Sequence, residues 1–172
     1  MLGGNRLRVV MVTIVAGIIL IFAGLSWYKY QYSMEIIAQQ EYNEGERVRV
    51  LVASQGSEFK AALADELIKG TVSKSIHVKL IDVTRLDKVN ESKWDAIIII
   101  HSWEYFKPEK NTKSFVKSLP SKEKLILVTT SADGKLGMKN VDGVSCASSL
   151  AEVGDISDKI LNRLVSILSL KE

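Results

Sequence analysis

The chain has a single cysteine, Cys146, and only two histidines, His77 and His101, in 172 residues. One thiol excludes an internal disulfide framework and any multi-cysteine zinc site, and it leaves the compartment open. Two histidines without a suitably spaced carboxylate pair make no metal-ligand set, and the chain order offers no Ser/His/Asp arrangement. Internal repeats and low-complexity tracts are also lacking. From Arg47 onward 20 Lys/Arg stand against 16 Asp/Glu, a net of +4. These charges are scattered rather than gathered into a basic stripe, so nucleic acid is not an expected partner. The mild excess suits an anionic membrane surface equally well.

One long uncharged run is present. Val9 to Trp27 spans 19 residues without a charge, enough at ~1.5 Å per residue to cross most of a hydrocarbon core about 30 Å thick. The run exceeds the 7–15 or so apolar residues of a signal-peptide core, which favours an uncleaved anchor. Arg6, Arg8 and the amino terminus precede it, and only Lys29 follows closely. The positive-inside rule then puts the N-terminus in the cytoplasm and the remainder outside, as a single-pass protein of the cell membrane. Residues 1–27 are read as cytoplasmic tip and transmembrane anchor. Residues 28–46, polar with a few tyrosines, are read as an emerging helix and linker, and 47–172 as one domain.

The domain is organised around Arg47 to Leu67. Val48, Val50 and Val52 alternate as in a strand, Ser54-Gln55-Gly56-Ser57 turn, and Phe59, Leu63 and Leu67 recur at helical spacing. Such a turn gathers backbone N–H groups at the positive end of a helix dipole, a favourable place for a phosphate. Gly70 is expected to end the helix. Ile76 to Ile81 is expected as a second strand, with His77 on its outer side. Ala96-Ile97-Ile98-Ile99-Ile100 is uniformly apolar, as in a parallel strand covered on both faces. Lys113–Leu119 predicts a short helix stopped by Pro120; Leu125–Val128 and Val141–Val144 predict the fourth and fifth strands. Ile156, Ile160, Leu164, Ile167 and Leu168 predict a final helix capped by Asp155. Strands alternating with helices define an α/β doubly wound sheet, which binds ligands beyond the carboxyl ends of its strands.

Four loops should meet there: Ser54–Glu58, His101–Phe106, Thr129–Gly134 and Ser145–Ser148. Hydroxyls and a glycine suit a phosphate. Trp103 and Tyr105 offer flat faces that either stack on an aromatic ring or pack the loop or a partner. His101 is more often a hydrogen-bonded residue in such a place than a proton donor.

On the opening strand-turn-helix, on Trp94 to Ile100 leading into an aromatic loop, and on Phe115 to Thr130, the segment from Arg47 to Leu170 resembles the flavodoxin family. The resemblance implies a sheet of order 2-1-3-4-5 and a non-covalently held flavin mononucleotide (FMN) used for electron transfer. It implies Ser54, Gly56 and Ser57 at the phosphate. His101, Ser102, Trp103 and Tyr105 would lie beside the ring, and Thr130, Ser131 and Gly134 at its polar edge. The family's S/T-x-T-G-x-T loop is one residue longer than the one here, and Glu58 stands where a small polar residue is usual. Asp142 to Ser148 separately resembles the D-x-x-S/T-x-A-T/S motif at which FMN is attached through a phosphoester, with Ser148 as the acceptor. The expectation is a membrane-anchored FMN-binding electron carrier serving a membrane redox partner, rather than a turnover enzyme. The alternative is a flavin-free interaction or assembly subunit of a membrane complex.

Overall fold

The computed structural model describes residues 3–32, 35–104 and 107–169. The chain divides into two units, Met1–Met34 and Glu35–Glu172. The first is helix α1, Gly3–Tyr32. Within it Arg8–Trp27 has a mean hydropathy of 2.7 over 20 residues and is long and apolar enough to cross a membrane.

The second unit is a sheet between two helical layers. Five parallel strands lie in the order β3 (His77–Asp82), β2 (Arg49–Ser54), β4 (Ala96–Glu104), β6 (Leu125–Thr130), β7 (Gly143–Cys146). Counted among themselves they run 2-1-3-4-5. Two further strands were not anticipated. β1 (Gln40–Tyr42) pairs antiparallel with β3 at the sheet edge, and β5 (Lys107–Pro108) folds back on the end of β4. Alternation sorts the strand side chains by face. Val50, Val52, Ile98, Ile100, Ile126 and Val128 meet α2 (Glu58–Val72) and α4 (Val153–Ser169). Leu51, Ala53, Ile97, Ile99, Leu125 and Leu127 meet α3 (Lys110–Ser118) and the 3-10 turns Val83–Lys88 and Glu91–Lys93. Burial on both faces is why these strands read as unbroken apolar runs.

Several boundaries differ from the sequence expectation, each for a physical reason. Helix α2 runs through Gly70 to Val72, because Gly70 is a packing position: a Cβ there would stand 2.6 Å from Leu161 Cδ1 on α4. Helix α3 begins at Lys110, earlier than Lys113, since Glu109 caps it by accepting the Asn111 and Thr112 N–H groups at 2.8 and 2.6 Å. Asp155 is not the cap of α4. The helix starts at Val153 behind the 3-10 turn Leu150–Glu152, and Asp155 lies in its first turn, where its charge suits the dipole. Strand β7 sits two residues later than expected. Gly143 marks its entry, since a Cβ there would stand 2.0 Å from Leu127 O.

The larger correction concerns the tract read as a linker. Residues 35–46 join the sheet unit: Ile37 and Tyr42 pack on the core, and Gln40–Tyr42 cover the edge of β3. That cover buries His77, expected at the surface, to 4% exposure. Its Nε2 lies 2.8 Å from Glu41 Oε1, and Lys79 Nζ lies 3.0 Å from Glu41 Oε2. Lys79 first, then His77, hold the Glu41 carboxyl below its ordinary value.

Gly143→Ala should destabilise the domain by about 1–3 kcal/mol through overpacking. Gly154→Ala, where a Cβ meets nothing within 4 Å, should leave stability unchanged or raise it by up to ~1 kcal/mol. Urea unfolding of both variants checks this; equal effects would contradict the close β6–β7 approach.

Candidate functional site

The strand order reverses between β2 and β4, so the carboxyl ends of these strands and of β6 and β7 frame the crevice in which doubly wound sheets bind ligands. Three segments converge there. Strand β4 does not stop at Ile100 but continues to Glu104, because His101 and Ser102 pair with Thr129 and Thr130, and Trp103 and Glu104 pair with β5. Ser102 Oγ and Thr130 Oγ1 lie 3.2 Å apart. One cavity of ≈ 380 Å³ is lined by Ser102, Trp103, Thr130, Ser131, Ala132 and Ser148. Trp103 is half-buried, Thr130 and Ser131 are buried, and Ser148 is exposed at the rim. Five of the residues singled out from the sequence thus share one wall. Tyr105 lies outside the described residues.

Gly134 belongs elsewhere. It closes a turn, donating its N–H to Ser131 O at 3.2 Å with φ +67°, and lines a second cavity of ≈ 360 Å³ beside Asp133, Ser145 and Cys146. Ser131 Oγ donates to Asp133 Oδ1 at 3.2 Å, and Asp133 accepts the Lys135 N–H at 3.1 Å; that backbone bond leads in holding its carboxyl below the usual range.

The first loop is closed rather than open. Ser54 is 1% exposed and its hydroxyl donates to Gln55 O at 3.0 Å. Ser57 caps α2, its Oγ accepting the Lys60 N–H at 3.3 Å. The Gly56 N–H donates to Glu35 O at 3.0 Å, and a Cβ on Gly56 would stand 2.1 Å from that oxygen. Glu58 occupies the first turn of α2 with its own negative charge. The Ser54 hydroxyl and the Gly56 N–H are therefore committed within the protein, and Ser57 is engaged as the cap of α2. Sequence reading missed two residues here. Gln55 is 8% exposed and its Oε1 accepts the Ser102 N–H, tying the first loop to the second. Glu35 is 20 or more residues upstream in a tract with no apolar pattern.

His101 is a buried strut beneath the cavity. It is 0% exposed; Nδ1 lies 3.0 Å from Ser102 O and Nε2 3.1 Å from Thr129 Oγ1. A carbonyl can only accept, so Nδ1 carries the proton and the Thr129 hydroxyl donates to Nε2. Desolvation lowers its pKa to about 4. Burial likewise pushes the Cys146 thiol up to about 11. Among the described residues no group of three or more His, Cys, Asp or Glu could hold a metal.

The class defined so far is a doubly wound α/β domain with a ligand crevice at its switch point. Solved structures narrow it to a flavodoxin-like fold. A flavodoxin from the domain Archaea matches with a TM-score of 0.50 at 16% identity, over 70% of this chain and 99% of its own. A Streptococcus pneumoniae flavodoxin gives 0.49 at 11% identity, over 69% and 98%. An oxidoreductase from Corynebacterium diphtheriae gives 0.47 at 9% identity, over 73% and 98%. At such identities the likeness is one of fold. No protein-family model and no curated protein matches the sequence.

His101 sets a pH dependence whose sign follows from its lowered pKa. Between its ordinary 6.5 and about 4 the unfolded chain binds a proton that the folded chain does not. Stability therefore falls as pH drops through this window, by up to ~3 kcal/mol. Urea midpoints measured from pH 7 downward should show this loss, and His101→Gln should flatten it above the carboxylate range; parallel profiles would contradict the assignment.

Proposed function

We propose that the chain is a single-pass membrane protein whose flavodoxin-like domain binds FMN by its isoalloxazine ring and carries electrons to or from a membrane redox partner. The reading is carried by one observation: Ser102, Trp103 and Thr130, at the carboxyl ends of β4 and β6, line one cavity at the switch point with Ser131 and Ser148 from the loops that follow β6 and β7. The indole of Trp103 supplies an apolar flat face, and the hydroxyls of Ser102, Thr130 and Ser131 supply polar contacts to ring heteroatoms. A bound flavin supplies one- and two-electron transfer. The protein's part is to hold and orient the ring and to limit access of water. The ring half of FMN fits these residues. The phosphate half does not fit the first loop, whose Gly56 N–H is already bonded. Ser148, exposed at the cavity rim, is the acceptor for the phosphoester suggested by Asp142–Ser148, a link that needs no phosphate site in the first loop.

Helix α1 would hold the domain in the plane of its partner and raise the effective concentration of the two. Arg6 and Arg8 orient the N-terminus toward the cytoplasm and the domain outside. The detergent-solubilised full chain should show or take up the visible flavin absorbance. Trp103→Ala should weaken flavin affinity about tenfold, the order expected for one lost aromatic contact. Colour that survives denaturation but is absent from Ser148→Ala would establish the covalent link. A colourless chain that takes up no flavin would overturn this reading in favour of an assembly subunit.

A further inference from the structure

The first loop carries its own occupant. Glu35 pairs with Gly56 in an antiparallel bridge, its carbonyl accepting the Gly56 N–H at 3.0 Å. The next contacts fasten the strap along its length. Ile37 N–H donates to Asp82 Oδ2 at 3.1 Å, and the Ile37 side chain packs on the core between sheet and helices. Arg85 Nη1 donates to Gln39 Oε1 at 3.0 Å, and the ladder of β1 with β3 begins at Gln40. On the loop side, the Gln55 N–H donates to Ile100 O at 3.1 Å. Backbone donors at residues 55 and 56, which lead into the N-terminus of α2, are both committed within the protein. Glu35 and Glu58, on the two sides of this contact, are exposed carboxylates that oppose a phosphate, whereas the buried Lys60 ammonium lies 3.5 Å from Ser57 Oγ.

We infer that the strap Glu35–Ile37 is a built-in specificity element: it fills the anion position of the first loop, so the domain selects its ligand by the planar ring and not by a terminal phosphate in that loop. The inference rests on the flavin reading only for the identity of the ring. The closure of the loop stands on the contacts above. Riboflavin, which lacks the phosphate monoester, is then as good a ligand as FMN for the Ser102–Trp103 and Thr130–Ala132 cavity.

The test uses the full chain in detergent micelles, with riboflavin, FMN and inorganic phosphate as probes. Flavin fluorescence quenching should give affinities for riboflavin and FMN within about threefold, against the ten- to hundredfold or so that phosphate contacts of charge-assisted strength would add. Amide exchange should show the Gly56 N–H protected, and its resonance should not move with inorganic phosphate. Ile37→Asp should expose the Gly56 amide and leave riboflavin affinity unchanged. Gly56→Ala attacks the same contact from the loop, without touching the core, and should expose the Ile37 amide. An FMN preference of tenfold or more, or a Gly56 amide that is unprotected or shifts with phosphate, would overturn the inference. Should neither flavin bind, the flavin reading fails, while a protected, phosphate-indifferent Gly56 amide still upholds the closed loop.

Discussion

Strand β4 is the constraint on which the domain depends. Ile97 to Ile100 are each 0% exposed, with one neighbouring strand on either side and a helical layer on either face. Each of these residues must satisfy a ladder on both edges and pack apolar atoms above and below, which leaves only branched aliphatics as suitable side chains. Because the ladder with β6 continues to Ser102–Thr130, the strand delivers polar residues to the crevice only after its apolar run ends. The cavity is thus set by register: Ser102 and Trp103 stand at the rim because four isoleucines precede His101.

The same logic explains the polar groups below the rim. His101 is the first residue beyond the isoleucines, still buried, and it keeps a single tautomer by donating to Ser102 O and accepting from Thr129. Gln55 ties the neighbouring loop to the Ser102 amide. Two loops that diverge in sequence are held together by side-chain bonds with little water to compete, where such bonds are individually stronger. The crevice wall is therefore cross-tied by hydrogen bonds where it meets Ser102 and exposed at Ser148.

Much of this was legible in the chain. The apolar run of β4, the alternation of β2 and the helical spacing of α4 each required one kind of residue at one period, and each is where the sequence places it. That the loops at the carboxyl ends of the strands meet was expected of a doubly wound sheet; Ser102, Trp103, Thr130, Ser131 and Ser148 do line one cavity, whereas Gly134 lines another. What was not legible shares one property: the sequence carries no side-chain signature for it. Strand β1 is Gln-Glu-Tyr at a sheet edge, where exposure makes no apolar demand. His77 looked external because the strand that buries it was invisible. Gly70 looked like a stop, although its missing Cβ serves the α2–α4 contact. The strap holds Gly56 through a main-chain carbonyl, so neither partner's residue type announces the bond. A glycine that reads as a phosphate turn instead admits a neighbouring backbone.

Function turns on which part of the carboxyl edge receives the ligand. Amide chemical-shift mapping of the full chain with riboflavin addresses this most directly. The largest changes should fall at Ser102, Trp103, Thr130, Ser131 and Ser148, with Gly56 and Ser57 still. Changes centred on Gly56 and Ser57, with Trp103 and Ser131 unmoved, would contradict it.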